Sequence, residues 1–144
     1  MRTIWRNQHV DAAVAWAKEK IGAEGIGQDC AAVSLVDEHE QFLAVCVFSS
    51  YIGTNIDMHL AARPGSNWLS RSYYNAVMAL PFDVLQVPRI TGLIRGSNLN
   101  TQHFASRMGF QYEGRMRKIF EDGDDLVLFG FLRDEYQRHP WRKR

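Results

Sequence analysis

One stretch, Asn55-Ile-Asp-Met-His-Leu-Ala-Ala-Arg-Pro-Gly-Ser-Asn-Trp-Leu-Ser-Arg-Ser-Tyr-Tyr-Asn-Ala-Val-Met-Ala-Leu80, limits the possible folds most, because its hydrophobic period changes in mid-course. Ile56, Met58 and Leu60 alternate with Asp57, His59 and Ala61, the period of two of a strand. Arg63-Pro64-Gly65 ends it, with one residue that cannot donate to a ladder and one that accepts positive φ. From Asn67 onward, Trp68, Leu69, Tyr73, Ala76 and Leu80 fall at helical spacing, with Ser66 or Asn67 as the expected N-cap. A strand that turns tightly into a helix leaves first-turn N–H groups free, and such groups bind anions, phosphate above all.

The remaining chain supplies the frame. Val10, Ala13, Val14, Ala17 and Ile21 share one face of an amphipathic helix that Gly22 stops. The glycine-rich run 23–29 reads as a connector, with passage near a substrate as the alternative. Cys30 to Val36 and Phe42 to Ser49 are β-branched apolar runs around a charged tip, a hairpin in which His39 is a solvated turn residue. Pro81-Phe82 and Val87-Pro88 bracket a short connection, and Arg89 to Arg95 is a further strand. Asn98 or Asn100 caps a short helix through Met108, and Gly109 occupies its C′ place. Phe110 to Phe120 and Leu126 to Leu132 are strands joined through Asp122-Gly123. The expected order is helix, three strands, helix, strand, helix, two strands. The strand–helix–strand passage from Ile56 to Ile94 makes one pair in the mixed α/β sheet parallel.

At 144 residues the chain is the size of one domain, residues 1–144, able to bury a core without staples. A net charge of +1 gives no long-range field, so neither nucleic acid nor an anionic membrane is the expected partner. The basic end, Arg138 and Arg142-Lys143-Arg144, reads as a solvated terminus. Cys30 and Cys46 lie in apolar strands and read as small buried hydrophobes in a reducing compartment. The first residues carry no apolar leader and no run is long enough to span a bilayer, so the expected location is cytoplasmic. No His, Cys or carboxylate cluster has metal-ligand spacing, and no Ser-His-Asp arrangement is visible.

Residues 98–117, Asn-Leu-Asn-Thr-Gln-His-Phe-Ala-Ser-Arg-Met-Gly-Phe-Gln-Tyr-Glu-Gly-Arg-Met-Arg, and the later run ending Leu132-Arg133-Asp134-Glu135 carry a family resemblance. They resemble the GCN5-related N-acetyltransferases (GNAT), especially the branch that acetylates ribosomal-protein N-termini and small phage-borne or bacterial members. Asn98, Gly109, Phe110, Glu113, Gly114, Arg117, Leu132, Arg133 and Glu135 occupy the family's places. The match is close over residues 89–136, and the order of elements extends it to nearly the whole chain. The resemblance implies a mixed, mostly antiparallel sheet with a central splayed parallel pair and helices on both faces.

It further implies acetyl-coenzyme A as cosubstrate. The pantetheine would run along the backbone of Leu60, Ala61 and Ala62, with the pyrophosphate on the turn Arg63, Gly65, Ser66, Asn67, Trp68 and Leu69. Arg63-Pro-Gly-Ser-Asn-Trp68 departs from the family's Gln/Arg-x-x-Gly-x-Gly/Ala, since Gly65 comes one place early and Trp68 replaces a small residue. Asn98 and Phe104 are the side chains expected along the cofactor, with Tyr73 on the cofactor side and Tyr51 on the acceptor side as further candidates. The place of the acid that protonates the departing thiolate falls on Ala105, with Ser106 adjacent.

The attacking amine must lose a proton, since an ammonium of pKa ~10 is almost wholly charged at neutral pH. Asp57 and His59 project from one face of the central strand, so His59 is the expected base or water relay, with Asp57 orienting it. The alternative is a structural pair bonded to backbone. The oxyanion would rest on backbone N–H near Leu60 or Ala61. The expected activity is transfer of acetyl directly to an amine on a protein N-terminus, a lysine or a small molecule. A catalytically silent copy of the fold that binds a protein partner, such as a host-modulating phage product, and a coenzyme A sensor are the alternatives. A homodimer is compatible with either.

Overall fold

The computed structural model describes residues 1–22 and 26–144. Seven strands form one sheet in the order β1-β2-β3-β4-β5-β7-β6. They are β1 (Thr3–Arg6), β2 (Ala31–Val36), β3 (Phe42–Ser49), β4 (Asn55–Ala62), β5 (Arg89–Arg95), β6 (Gln111–Met116) and β7 (Leu126–Leu132). Every neighbouring pair is antiparallel except β4 with β5. Helix α1 (Val10–Ile21) packs on one face, over β2, β3 and β4. Helices α2 (Arg71–Met78), α3 (Leu99–Met108) and α4 (Arg133–Arg138) cover the other.

The strand period divides the core accordingly. Val45, Val47 and Ala61 turn toward Ala13 and Ala17 of α1 in a small cluster of short side chains. On the opposite face, Cys46, Phe48, Ile56, Met58, Leu60, Ile90 and Phe131 meet the helices in the main core. At about 25 cal/mol per Å² of apolar surface removed from water, this larger layer supplies most of the driving force for folding.

Five segments differ from the sequence expectation, the first being the strand expected over Phe110 to Phe120, which ends at Met116. Thr3–Arg6 is a strand, paired to β2 from Thr3↔Val36 to Arg6↔Val33. Helix α2 starts at Arg71, not near Asn67, and its cap is Ser70, whose hydroxyl accepts from Tyr73 N–H at 3.2 Å. Left-handed Gly65 (φ 75°) and Asn67 (φ 49°) hold the preceding chain as a loop. Burial of Trp68 against Tyr73 and Phe104 anchors it. Pro81 does not end the helix, because Ala79–Val84 continues it as a π-helical turn with wide bonds such as Leu85 N–H to the Leu80 carbonyl. The segment Arg133–Arg138, read only as the end of a strand, is helical, and the Glu135 carboxylate accepts from Leu132 N–H at 2.9 Å. The expected connector 23–29 falls partly outside the described residues at 23–25.

Candidate functional site

The parallel ladder between β4 and β5 runs from Asn55↔Arg89 to Met58↔Gly92 and stops there, while β4 stays paired to β3 as far as Ala62. Past Met58 the two strands part. Arg63 N–H donates to the Leu43 carbonyl at 2.8 Å, which fixes the phase of the antiparallel pairing. Counting back by twos, Ala61 and His59 direct their N–H and C=O groups to β3, and Ala62 and Leu60 direct theirs to the open side. Of the three residues expected to offer backbone to a cofactor, Leu60 and Ala62 therefore present amides to the gap. Ala61 does not, for its backbone serves β3 and its methyl packs under α1.

Besides a small void between Met58, Leu60, Gly92 and Ile94, two larger cavities adjoin this gap. The larger, about 620 Å³, is lined by Leu60, Ala62, the turn from Arg63 to Leu69, Asn98, Thr101 and Phe104. The smaller, about 330 Å³, is lined by His59, Leu60, Leu93, Ile94, Arg95, Phe120 and Leu126. Lys20, Ile21, Leu60, Asn98 and Thr101 border both, so they form one cleft with two lobes. Both volumes fall in the range of small-molecule sites.

The larger lobe is cationic. Lys20, Arg63 and Arg107 line it with His103, and no carboxylate does so among the described residues. In a chain of net charge +1 this is a local concentration of positive charge. Its loop also has spare donors. Among the described residues, the N–H groups of Gly65, Asn67, Trp68 and Leu69 make no backbone hydrogen bond, and Ser66 N–H alone closes the turn onto the Arg63 carbonyl at 3.2 Å. Trp68, only 4% exposed, is turned into the core against Phe104, so its bulk forms a floor under the lobe without filling it. Asn98 caps α3 through Thr101 N–H at 3.1 Å while bordering the cleft, so it serves a structural role at the same place.

His59 is 3% exposed and lines the smaller lobe beside the end of α1. Asp57 lies on the same strand face but borders neither lobe. Its carboxylate accepts from Asn55 Nδ2 at 3.1 Å, and burial raises its pKa against the opposing effect of that amide. Asn55 Oδ1 in turn accepts from the Thr91 hydroxyl at 2.6 Å and from Arg89 Nε at 3.2 Å, and Arg89 pairs with Glu113. Glu113, one of the residues carrying the family resemblance, thus ends a polar chain that braces β4 against β5 below the point where they part.

Ser106 was the residue expected near the departing thiolate. It is exposed on α3 and lines neither lobe, because one residue is about 100° of helix and Ala105 takes the buried side. Tyr73 is fully enclosed, with its hydroxyl donated to the Val33 carbonyl at 2.8 Å, and burial raises its pKa well above the ordinary tyrosine value. Tyr51 is 53% exposed and borders neither lobe.

Sequence reading missed Lys20, Arg95, Thr101 and Phe120. The Arg95 guanidinium lies 4.0 Å over the Phe120 ring and pairs with Asp122 at 2.9 Å, which fastens the β6–β7 loop to the end of β5 as a wall of the smaller lobe. The acidic hairpin tip was the available signal, since Asp122, Asp124 and Asp125 all take up partners near that wall.

No family model matches the sequence, and no curated protein matches it. Solved structures do. Spermidine/spermine N-acetyltransferase SpeG from Vibrio cholerae, in complex with manganese ions, superposes with a TM-score of 0.72 over 96% of this chain and 96% of that one, at 12% identity. The dodecameric structure of spermidine N-acetyltransferase from Vibrio cholerae gives 0.65 over 78% of this chain and 70% of that one, at 16% identity. The chain has the GCN5-related N-acetyltransferase fold. Within this fold the parted β4 and β5, the cationic lobe and the His59 lobe lie on one continuous cleft.

Proposed function

We propose that the protein is an acetyl-coenzyme-A-dependent N-acetyltransferase that transfers acetyl directly to an amine. The observation that carries this reading is the cleft itself: free Leu60 and Ala62 amides on a parted strand edge, leading into a lobe lined by Lys20, Arg63 and Arg107. A long thioester with a polyanionic end fits that sequence of environments. The Leu60 carbonyl and the Ala62 backbone take the pantetheine as an added strand, and the 63–69 loop with its basic neighbours takes the phosphates.

The acceptor amine enters the smaller lobe, and His59 removes its proton directly or through water. The nitrogen attacks the thioester carbonyl, whose oxygen is held by Leu60 N–H, and the C–S bond breaks to release the thiolate. With Ser106 outside both lobes, no side-chain acid is invoked. A coenzyme A thiol of pKa ~8.5 leaves as the thiolate at modest cost, so water suffices to protonate it. The V. cholerae structures are of enzymes that act on spermidine, and an amine acceptor is the class shared with this proposal. Calorimetry with acetyl-coenzyme A, followed by free-thiol release across protein N-terminal, lysyl and polyamine acceptors, tests it. Failure to bind acetyl-coenzyme A at millimolar excess would overturn it.

A further inference from the structure

The loop that borders the cationic lobe is held from behind by a residue more than sixty positions earlier in the sequence. Arg2, just ahead of β1, donates from Nη1 to the Asn67 carbonyl at 2.8 Å and from Nη2 to the Ser66 carbonyl at 2.5 Å. One planar guanidinium grips two successive carbonyls only if both face the same way. Asn67 meets that condition, because its left-handed backbone (φ 49°) turns the peptides before and after it to the same side, as in a helix and unlike an extended chain.

Both peptides are trans, so each N–H points opposite to the carbonyl of its own plane. The amides paired with the Ser66 and Asn67 carbonyls are those of Asn67 and Trp68, and both therefore point away from Arg2. Both are among the four loop amides that make no backbone hydrogen bond among the described residues, and Ser66, Asn67 and Trp68 all border the 620 Å³ lobe. A cation bonded to the carbonyl side of a peptide also polarises its N–H, strengthening it as a donor to an anion.

We propose that Arg2 is a positioning residue for the diphosphate of the cosubstrate, locking Asn67 and Trp68 so that both amides face that group. This rests on the acetyl-coenzyme A reading above. It makes the N-terminal strand part of the binding apparatus, although Arg2 itself touches no ligand.

Arg2→Ala is compared with wild type using acetyl-coenzyme A and acetyl-pantetheine, which lacks the diphosphate, with KM and calorimetric Kd as readouts. Acetyl-coenzyme A is expected to bind about tenfold more weakly, with kcat at saturation and acetyl-pantetheine affinity unchanged. Arg2→Lys, which keeps the charge without the two-pronged grip, falls between. Unchanged acetyl-coenzyme A affinity, or equal weakening toward both thioesters, overturns the inference. Inorganic diphosphate provides a separate readout: it should shift the Asn67 and Trp68 amide resonances in wild type and much less in Arg2→Ala. Should wild type ignore acetyl-coenzyme A, the function above is lost and this titration alone decides the role of Arg2, unmoved amides refuting it.

Discussion

The carboxylate of Glu113 lies against the backbone of Gly130, in space that any β-carbon would occupy, and from there brackets the Arg89 guanidinium at 2.8 and 3.3 Å. Gly130 sits on β7, between the strand that carries Glu113 and the strand that carries Arg89. The absence of a side chain there lets an acid on β6 reach a base on β5, and so brace the parallel pair just before it opens.

Gly130→Ala is accordingly expected to push Glu113 off Arg89. Both partners are partly exposed, so the cost is about 1 kcal/mol in urea denaturation. In a Glu113→Ala background the same substitution should cost close to nothing, because the obstructing carboxylate is gone. A double-mutant cycle reads this directly, and additive effects of the two changes would contradict the bracing role.

Gly109 presents a harder constraint. Its φ is 110°, and a β-carbon would lie 2.6 and 2.7 Å from ring atoms of Phe131, which is fully buried. Backbone strain and overpacking act together here, so Gly109→Ala should lose about 3 kcal/mol of stability. A loss below about 1 kcal/mol by chemical denaturation would mean that Phe131 yields more readily than its packing suggests.

How much was legible in the sequence follows from which forces act locally. The bounds of α1 and β5 match the expected residues because hydrophobic period and a flanking Gly22, Pro88 or Gly96 coincide there, and those of β3 because its apolar run starts sharply after the charged turn 37–41. The shift of α2 to Arg71 was hidden, because Trp68 and Leu69 have helical spacing, and only the tertiary contact of Trp68 with Phe104 shows that they belong to a loop. Strand β1 has four residues and is defined by pairing to β2, which no local pattern reveals. In the cleft, the turn 63–69 and His59 were legible as strand end and polar face. The acid expected at Ser106 was not a matter of pattern but of helical phase, which one residue's rotation reverses. Lys20 and Phe120 border the cleft only through packing of distant elements.

His139 makes the C-terminal segment pH-sensitive. Its Nδ1 accepts from Trp141 N–H at 3.1 Å and its Nε2 lies 3.2 Å from the Arg107 carbonyl, a pattern met by the neutral ring with the proton on Nε2. Burial lowers its pKa below the ordinary 6.5, with the Arg107 carbonyl acting in the opposite sense. The folded segment thus binds fewer protons than the unfolded one. Its stability is full above about pH 6.5 and falls as pH drops through the histidine range. NMR titration should give His139 a pKa below 6.5, with amide exchange at Trp141 to Arg144 rising as it protonates. Exchange independent of pH, after correction for intrinsic rates, would refute the linkage.

The last prediction separates His59 from the other two catalytic candidates, Ser106 and Asp57. His59 borders the smaller lobe beside Leu60, whereas Ser106 is exposed and borders neither lobe. If the base acts on the amine after the cosubstrate is bound, His59→Ala should lower kcat by about 10²–10³ while acetyl-coenzyme A affinity stays within a few-fold. Leu60 N–H and the 63–69 loop, which hold the thioester in this scheme, do not involve the imidazole. Ser106→Ala should leave both constants unchanged. Asp57→Asn tests the orienting role separately, since the Asn55 bond to this side chain can be kept while its charge is removed. A loss in kcat there without loss of stability would tie Asp57 to His59. An unchanged kcat would leave it as part of the polar brace through Asn55, Thr91 and Arg89, where its bonding already places it.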